Sequence, residues 1–79
     1  MAYDPVVKEA MIRDLAIYVG MRLKLRRTEA RMSLDALSEL TGVTKAQLSK
    51  IERGETDVKL STLALIRSAL ALDIVIKPL

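Results

Sequence analysis

Two short amphipathic segments, separated by one glycine, constrain the fold of this chain more than any other feature. They occupy the stretch SLDALSELTGVTKAQLSKIERG, residues 33–54. Ser33 is a residue type that caps helix starts, and the helix after it is predicted to run from Leu34 to Leu40. Gly42 is then predicted to break that helix.

A second helix is predicted directly after this break. Thr44 is expected to cap it, because its hydroxyl can accept a hydrogen bond from the Gln47 amide. The helix is predicted to end at Arg53 and Gly54, since glycine readily adopts the left-handed conformation that terminates helices. The segment therefore predicts two short helices joined by a tight turn.

A longer helix is predicted upstream. Asp4 and Pro5 form a cap followed by proline at the first helical position, and apolar residues then recur at steps of three and four. The helix is expected to reach about Ala30. Gly20 lies inside it, so two helices meeting near residues 18–20 are the alternative.

Downstream, Ser61 is predicted to cap a fourth helix with an apolar stripe of Leu63, Ile66 and Leu70. The β-branched run Ile74, Val75 and Ile76 then predicts a short strand. A lone strand leaves backbone groups unpaired, and no other segment of this chain offers a partner. We therefore expect antiparallel pairing with the same strand of a second subunit, with a last helical turn as the alternative.

Composition narrows the function. The chain has 79 residues, which suits one small domain that a partner subunit would help stabilise. Phe and Trp are absent, so an aliphatic core is expected. Because the chain has no Cys and no His, we expect no metal, no cofactor and no enzymatic activity. Without a membrane-spanning run or a signal peptide, a cytoplasmic protein is expected.

Positive charge is concentrated in the middle of the chain. Residues 22–53 carry eight basic and four acidic side chains, a net charge of +4, whereas the rest carries a net charge of −1. A solvated basic face is the simplest interpretation. The same segment also has the charge that phosphate binding requires.

Two short helices joined by a glycine-containing turn form a helix-turn-helix. The run GVTKAQLSKIERG, with VGMRLKLRR before it and LSTLALIRSALAL after it, resembles the helix-turn-helix domain of the phage repressor, Cro and Xre family. The resemblance covers about residues 19–72. It implies a compact helical domain that binds operator DNA as a dimer, with the second helix of the motif in the major groove.

The resemblance also implies roles for individual residues. The residues expected to face DNA bases are Thr44, Lys45, Ala46, Ser49 and Lys50. Helical spacing agrees, because Leu48 and Ile51 must face inward and leave those positions outside. The residues expected to contact phosphates are Arg31, Arg53, Lys59, Ser61 and Thr62.

One acidic residue of the second helix needs a different explanation. In the family, the glutamate at the position of Glu52 pairs with an arginine of the first core helix, which here would be Arg27. Two departures from the family pattern also matter. Arg31 stands where a glycine often ends the first helix, and Glu55 and Asp57 place negative charge in a loop that usually approaches phosphate.

These expectations combine into one hypothesis. Residues 1–18 form an N-terminal helical extension that extends the dimer or holds a partner protein, residues 19–72 form the DNA-binding domain, and residues 73–79 form the dimerisation strand. The function expected is transcriptional repression by a homodimer on an inverted-repeat operator of double-stranded DNA. Because LDIVIKPL resembles the ending of HipB-like antitoxins, the alternative is an antitoxin that binds a toxin protein and regulates its own operon.

Overall fold

The computed structural model describes residues 3–72, and these residues form four α-helices. The helices are α1 (Pro5–Glu29), α2 (Leu34–Thr41), α3 (Lys45–Glu52) and α4 (Leu60–Ala69). No strand occurs within residues 3–72, so the all-α prediction is confirmed for that part of the chain. The predicted dimer strand, Ile74 to Ile76, lies outside the described residues.

The N-terminal helix α1 is a single element of 25 residues. The Asp4 carboxylate accepts a hydrogen bond of 2.8 Å from the Val6 amide, and Pro5 occupies the first helical position, as predicted. The helix continues through Gly20 without interruption, so the alternative of two helices meeting there is wrong.

Gly20 is required by close packing between helices and not by a break in α1. A Cβ atom at this position would lie 2.2 Å from the Ile51 carbonyl oxygen and 2.8 Å from that of Glu52. Only a residue without a side chain lets the backbone of α1 come this near to the end of α3. The glycine therefore fixes how closely the first and third helices pack.

The core is small and aliphatic, as composition predicts. Its fully buried side chains are Leu23, Leu37, Leu48, Ile51, Ile66 and Leu70. α1 packs against α3, and α2 packs against both α3 and α4. All four helices therefore meet at one apolar centre, which α1 enters only through its C-terminal half.

The start of α4 differs from the prediction. The helix begins at Leu60 with Lys59 at the cap position, where the side chain makes no capping hydrogen bond. Ser61 lies inside the first turn and is not the cap, so that prediction was wrong. The predicted apolar stripe is present, because Ile66 and Leu70 are buried and Leu63 packs against the core.

All four helices within residues 3–72 end through a residue in the left-handed conformation. These residues are Arg31 (φ 54°), Gly42 (φ 76°), Gly54 (φ 71°) and Ala71 (φ 50°). After α3, the Gly54 amide donates to the Ile51 carbonyl and the Glu55 amide donates to the Lys50 carbonyl. This paired pattern is a Schellman motif, and it repeats after α1 and α4 with non-glycine residues.

The N-terminal half of α1, residues 5–18, lies largely outside the core. Its apolar side chains are exposed, with Val6 75%, Leu15 63% and Tyr18 56% accessible. None of the helices in residues 3–72 is long and apolar enough to cross a membrane. Single exposed apolar side chains are ordinary in folded proteins, but a helix that presents many of them has an unpartnered surface.

Candidate nucleic-acid interface

The turn between α2 and α3 is held by three side-chain hydrogen bonds. The Thr41 hydroxyl donates to the Leu37 carbonyl at 2.8 Å and accepts from the Val43 amide at 3.2 Å. The Ser38 hydroxyl donates to the Val43 carbonyl at 2.6 Å. Gly42 adopts a φ of 76°, which lets the chain reverse within the turn. Together these contacts fix the direction in which α3 leaves α2.

Helix α3 begins as the sequence predicts. The Thr44 hydroxyl accepts a hydrogen bond of 3.1 Å from the Gln47 amide. Leu48 and Ile51 are 1% and 3% exposed, so this side of the helix faces the core. The opposite side is left for a partner.

The structure places the residues predicted to contact bases on that outer side. Thr44, Lys45, Ala46 and Lys50 are exposed, and Ser49 is half-buried. Ala46, Ser49, Lys50 and Arg53 stand at positions i, i+3, i+4 and i+7, which share one face of an α-helix. The geometry therefore presents a contiguous polar face beside the turn, with Lys45 at its edge.

Two of the cations at this surface are paired with neighbouring carboxylates. The Lys45 ammonium lies 3.3 Å from an Asp35 carboxylate oxygen, and a nitrogen of the Arg53 guanidinium lies 3.0 Å from a Glu55 carboxylate oxygen. The hydrogen bond from Arg53 lowers the pKa of Glu55 below its usual value, so Glu55 stays charged. Carboxylates of the same chain therefore partly neutralise both cations.

Arg53 and Ser49 also contact each other. A guanidinium nitrogen of Arg53 donates to the Ser49 hydroxyl. The arginine predicted to hold phosphate is therefore tied to the serine predicted to read bases. The Lys50 side chain makes no hydrogen bond or contact ion pair with any residue in 3–72, although its charge adds to that of Arg53 in lowering the pKa of Glu55. Its exposed ammonium is therefore available to an external partner.

A shielded ion pair anchors the far end of α3. Arg27 donates two hydrogen bonds to the Glu52 carboxylate, at 2.6 and 2.9 Å, and a third to the Met32 carbonyl at 2.8 Å. The two side chains are 12% and 7% exposed. The bonds to Glu52 raise the pKa of Arg27 above its usual value. The carboxylate of Glu52 thus faces α1 and is held away from the outer surface of α3.

The residues predicted to contact phosphate lie on connectors and helix ends. Arg31 is exposed in the connector between α1 and α2, and Lys59 is exposed at the cap position of α4. Ser61 and Thr62 lie in the first turn of α4, where backbone amides have no acceptor within the helix. Such amides suit anions.

Some residues that position this surface were not predicted. Ser38 had no predicted role, yet its hydroxyl closes the turn before α3. Arg26 donates a hydrogen bond of 2.8 Å to the Leu70 carbonyl, which satisfies the end of α4. The sequence shows that Arg26 is a basic residue near the end of α1. It gives no local sign of this contact, because Leu70 lies 44 positions further along the chain.

Comparison with known proteins agrees with this geometry. The model of the HTH_3 helix-turn-helix family matches residues 23–76, which is more than half of the chain. The chain belongs to the helix-turn-helix family, of the Xre and Cro type. Residues 23–76 are accordingly a helix-turn-helix domain, the kind of domain that binds DNA.

Curated relatives carry names of the same kind. The chain is 40% identical over 70 residues to the HTH-type transcriptional regulator y4aM of Sinorhizobium fredii, an alignment that covers 89% of this chain and 49% of that protein. It is 39% identical over 59 residues to the HTH-type transcriptional regulator SutR of Escherichia coli, covering 75% of this chain and 33% of that protein. The chain therefore spans half or less of the length of these two relatives.

Proposed function

We propose that this helix-turn-helix protein is a transcriptional regulator that represses its target by binding an inverted-repeat operator as a homodimer. The observation that carries the proposal is the outer face of α3, where Lys45, Ala46 and Lys50 are exposed opposite a buried Leu48. Relatives named as transcriptional regulators support the same function.

In this proposal, contacts to DNA bases and contacts to DNA phosphates have different roles. Lys50 and Lys45 donate to guanine O6 and N7 in the major groove, and Ser49 reads a neighbouring base edge. The groups that hold phosphates are Arg31, Arg53, Lys59 and the amides of Ser61 and Thr62. Phosphate contacts set the affinity and its salt dependence, and base contacts set the preferred sequence.

The carboxylates beside this face adjust the strength of binding. To contact DNA, Lys45 must leave Asp35 and Arg53 must leave Glu55. Both pairs are exposed, and exposed ion pairs stabilise a protein by only about 0 to 1 kcal/mol, so exchange for phosphate is inexpensive. The carboxylates also repel phosphate, which weakens binding to unrelated sequences.

Selection of bound DNA from a random pool, followed by titration of variants, tests the proposal. We expect an inverted repeat with half-sites about 10 base pairs apart, or a multiple of that. Lys50→Ala should cost about 1 to 3 kcal/mol on the selected site and mainly relax the preference at one position. Arg53→Ala should weaken all sequences alike and reduce the slope of log affinity against log salt by about one unit.

Lys8→Ala is the matched control, because it removes one exposed lysine from the N-terminal half of α1 without touching α3. Its affinity and salt slope should equal those of the wild type. Equal loss on every sequence for Lys50→Ala would contradict base reading. Wild-type binding that does not depend on salt would contradict the regulator proposal itself.

An antitoxin role is the second candidate, first indicated by the resemblance of residues 72–79 to HipB-like endings. It requires a protein partner, and the exposed apolar side chains on residues 5–18 are a surface that such a partner would cover. A neighbouring gene for a kinase-like or ribonuclease toxin would favour this role. Its absence would favour a regulator that acts without a toxin.

A further inference from the structure

Helix α1 carries a second apolar row on the side that faces away from the core. Its members, called here the α1 seam, are Val7, Met11, Asp14, Tyr18, Met21 and Leu25. The five apolar and aromatic members are each 48–56% exposed, and Asp14 is exposed as well. The buried residues of α1, Gly20 and Leu23, lie on the other side of the helix.

The spacing of the α1 seam is that of a helix pairing surface. Its members alternate at steps of four and three over 19 residues, which is the pattern by which two helices pack side by side in a coiled coil. A helix that only covers its own core needs one apolar face. Here one face is already occupied by the core, so the α1 seam is available for another helix.

We propose that the α1 seam binds the α1 seam of a second copy of this chain in antiparallel orientation. Pairing about a two-fold axis near Ala16 places Val7 opposite Leu25, Met11 opposite Met21, and Asp14 opposite Tyr18. Every member of the seam then has a partner. Because the core lies on the opposite side of α1, the two helix-turn-helix domains lie on the outside of the pair and do not collide.

The position of Asp14 decides the orientation. In a parallel pair in register, Asp14 would face Asp14 of the other copy, and two carboxylates would be brought together in an apolar seam at a large cost. In the antiparallel pair, each carboxylate instead faces the hydroxyl of Tyr18, which can donate a hydrogen bond to it. Arg22 lies one turn beyond Tyr18, close enough in sequence to add a positive charge at the same place.

This inference deepens the homodimer part of the proposed function and rests on it, but it does not depend on DNA binding. It is also separate from the predicted strand of residues 74–76. The two contacts would both join two copies, so the test must report on α1 itself.

Site-directed cross-linking distinguishes the possible arrangements. Because the chain contains no cysteine, an introduced cysteine is the only thiol in each variant. Full-length Met11→Cys and Met21→Cys are prepared separately, mixed, and treated with a short bifunctional maleimide. In the antiparallel pair the two positions face each other, whereas two copies of Met11 lie about 15 Å apart along the helices. We expect at least tenfold more covalent dimer from the mixture than from either variant alone.

Each other outcome overturns the proposal. Efficient cross-linking of each variant with itself would establish a parallel pair, and no cross-linking in any sample would establish that the α1 seam does not bind a second copy. Either result can coexist with salt-dependent binding to the selected operator, so failure of this inference is distinguishable from failure of the proposed function.

Sedimentation equilibrium of the full chain gives a second, independent measurement. Met21→Glu places a charge in the α1 seam and should raise the dimer dissociation constant at least tenfold. Leu40→Glu is the control, because Leu40 is 65% exposed on α2, outside the seam, and should leave the constant unchanged. An unchanged constant for Met21→Glu would assign the dimer to another surface.

Discussion

The two halves of α1 have the same secondary structure and opposite relations to the rest of the molecule. Residues 19–29 bury Gly20 and Leu23, and Arg27 joins them to the end of α3. Residues 5–18 expose nearly every side chain they carry, although Ile17 comes close to Gly54. Glu9, Ile12, Arg13 and Ala16 also line a shallow groove with residues 54–57. One half is part of the folded domain, and the other projects from it.

The difference shows that apolar residues at helical spacing indicate a helix but do not indicate which of those residues are buried. A row of apolar residues at helical spacing occurs in both halves, but only the C-terminal half has neighbouring helices to cover it. Helices gain most of their stability from packing of such a face. Pairing through the α1 seam would bury part of the projecting half and so stabilise its helix.

The largest effect should come from breaking the ion pair that joins α1 to α3. Glu52→Ala leaves the Arg27 guanidinium shielded without its carboxylate, and should lower the free energy of unfolding by roughly 3 to 5 kcal/mol. Urea denaturation at a fixed protein concentration measures this. Asp35→Ala breaks the exposed pair with Lys45 and should cost only about 0 to 1 kcal/mol.

The informative quantity is the difference in the free energy of unfolding between Glu52→Ala and Asp35→Ala. If Glu52→Ala cost no more than Asp35→Ala, the pair would be a surface interaction, and the C-terminal half of α1 would be less firmly attached than its geometry indicates. Tighter DNA binding by Glu52→Ala with unchanged stability would place the carboxylate near phosphate instead.

Two leucines of α1, one in each half, test directly whether the halves differ in burial. Leu23 is 2% exposed and Leu15 is 63% exposed. Leu23→Ala should cost about 2 to 5 kcal/mol through lost burial and a residual cavity. Leu15→Ala should change the free energy of unfolding by no more than about 0.5 kcal/mol.

The same denaturation measurement, made at low protein concentration to limit association, gives both values. A cost above 1 kcal/mol for Leu15→Ala would mean that the projecting half is covered within a single chain. Similar costs for the two variants would abolish the distinction between the halves.

Features that depend on neighbours in the sequence could be predicted. At each of the caps Asp4, Ser33 and Thr44, the side-chain oxygen accepts a hydrogen bond from a backbone amide two or three residues further along the chain. Gly42 and Gly54 adopt the left-handed conformation that their residue type favours. Local chemistry alone determines these positions, which is why the helix-turn-helix was predicted from the sequence.

Features that depend on distant parts of the chain could not be predicted. The contact of Arg26 with the Leu70 carbonyl and the close approach at Gly20 appear only once the helices have packed. At the candidate DNA face, spacing predicts which side chains point outward. It does not predict that Arg53 binds Ser49, because that contact depends on the rotamers that the two side chains adopt.

The smallest effect concerns the residue that ends the packed half of α1. Arg31 has a φ of 54°, a conformation that costs a residue with a Cβ atom about 1 to 2 kcal/mol. Arg31→Gly removes that cost but adds roughly 0.5 to 1 kcal/mol of backbone entropy, so a net stabilisation of about 0 to 1.5 kcal/mol is expected. Arg31→Ala is the matched control, because it removes the guanidinium and keeps the strain.

Thermal denaturation should give Arg31→Gly a higher melting temperature than Arg31→Ala. If Arg31 contacts phosphate, both variants should lose the same one unit from the slope of log DNA affinity against log salt. If Arg31→Gly were the less stable of the two, the left-handed end of α1 would be unstrained in solution. If the slopes differed from each other, the glycine would be altering the backbone beside the DNA, beyond removing one charge.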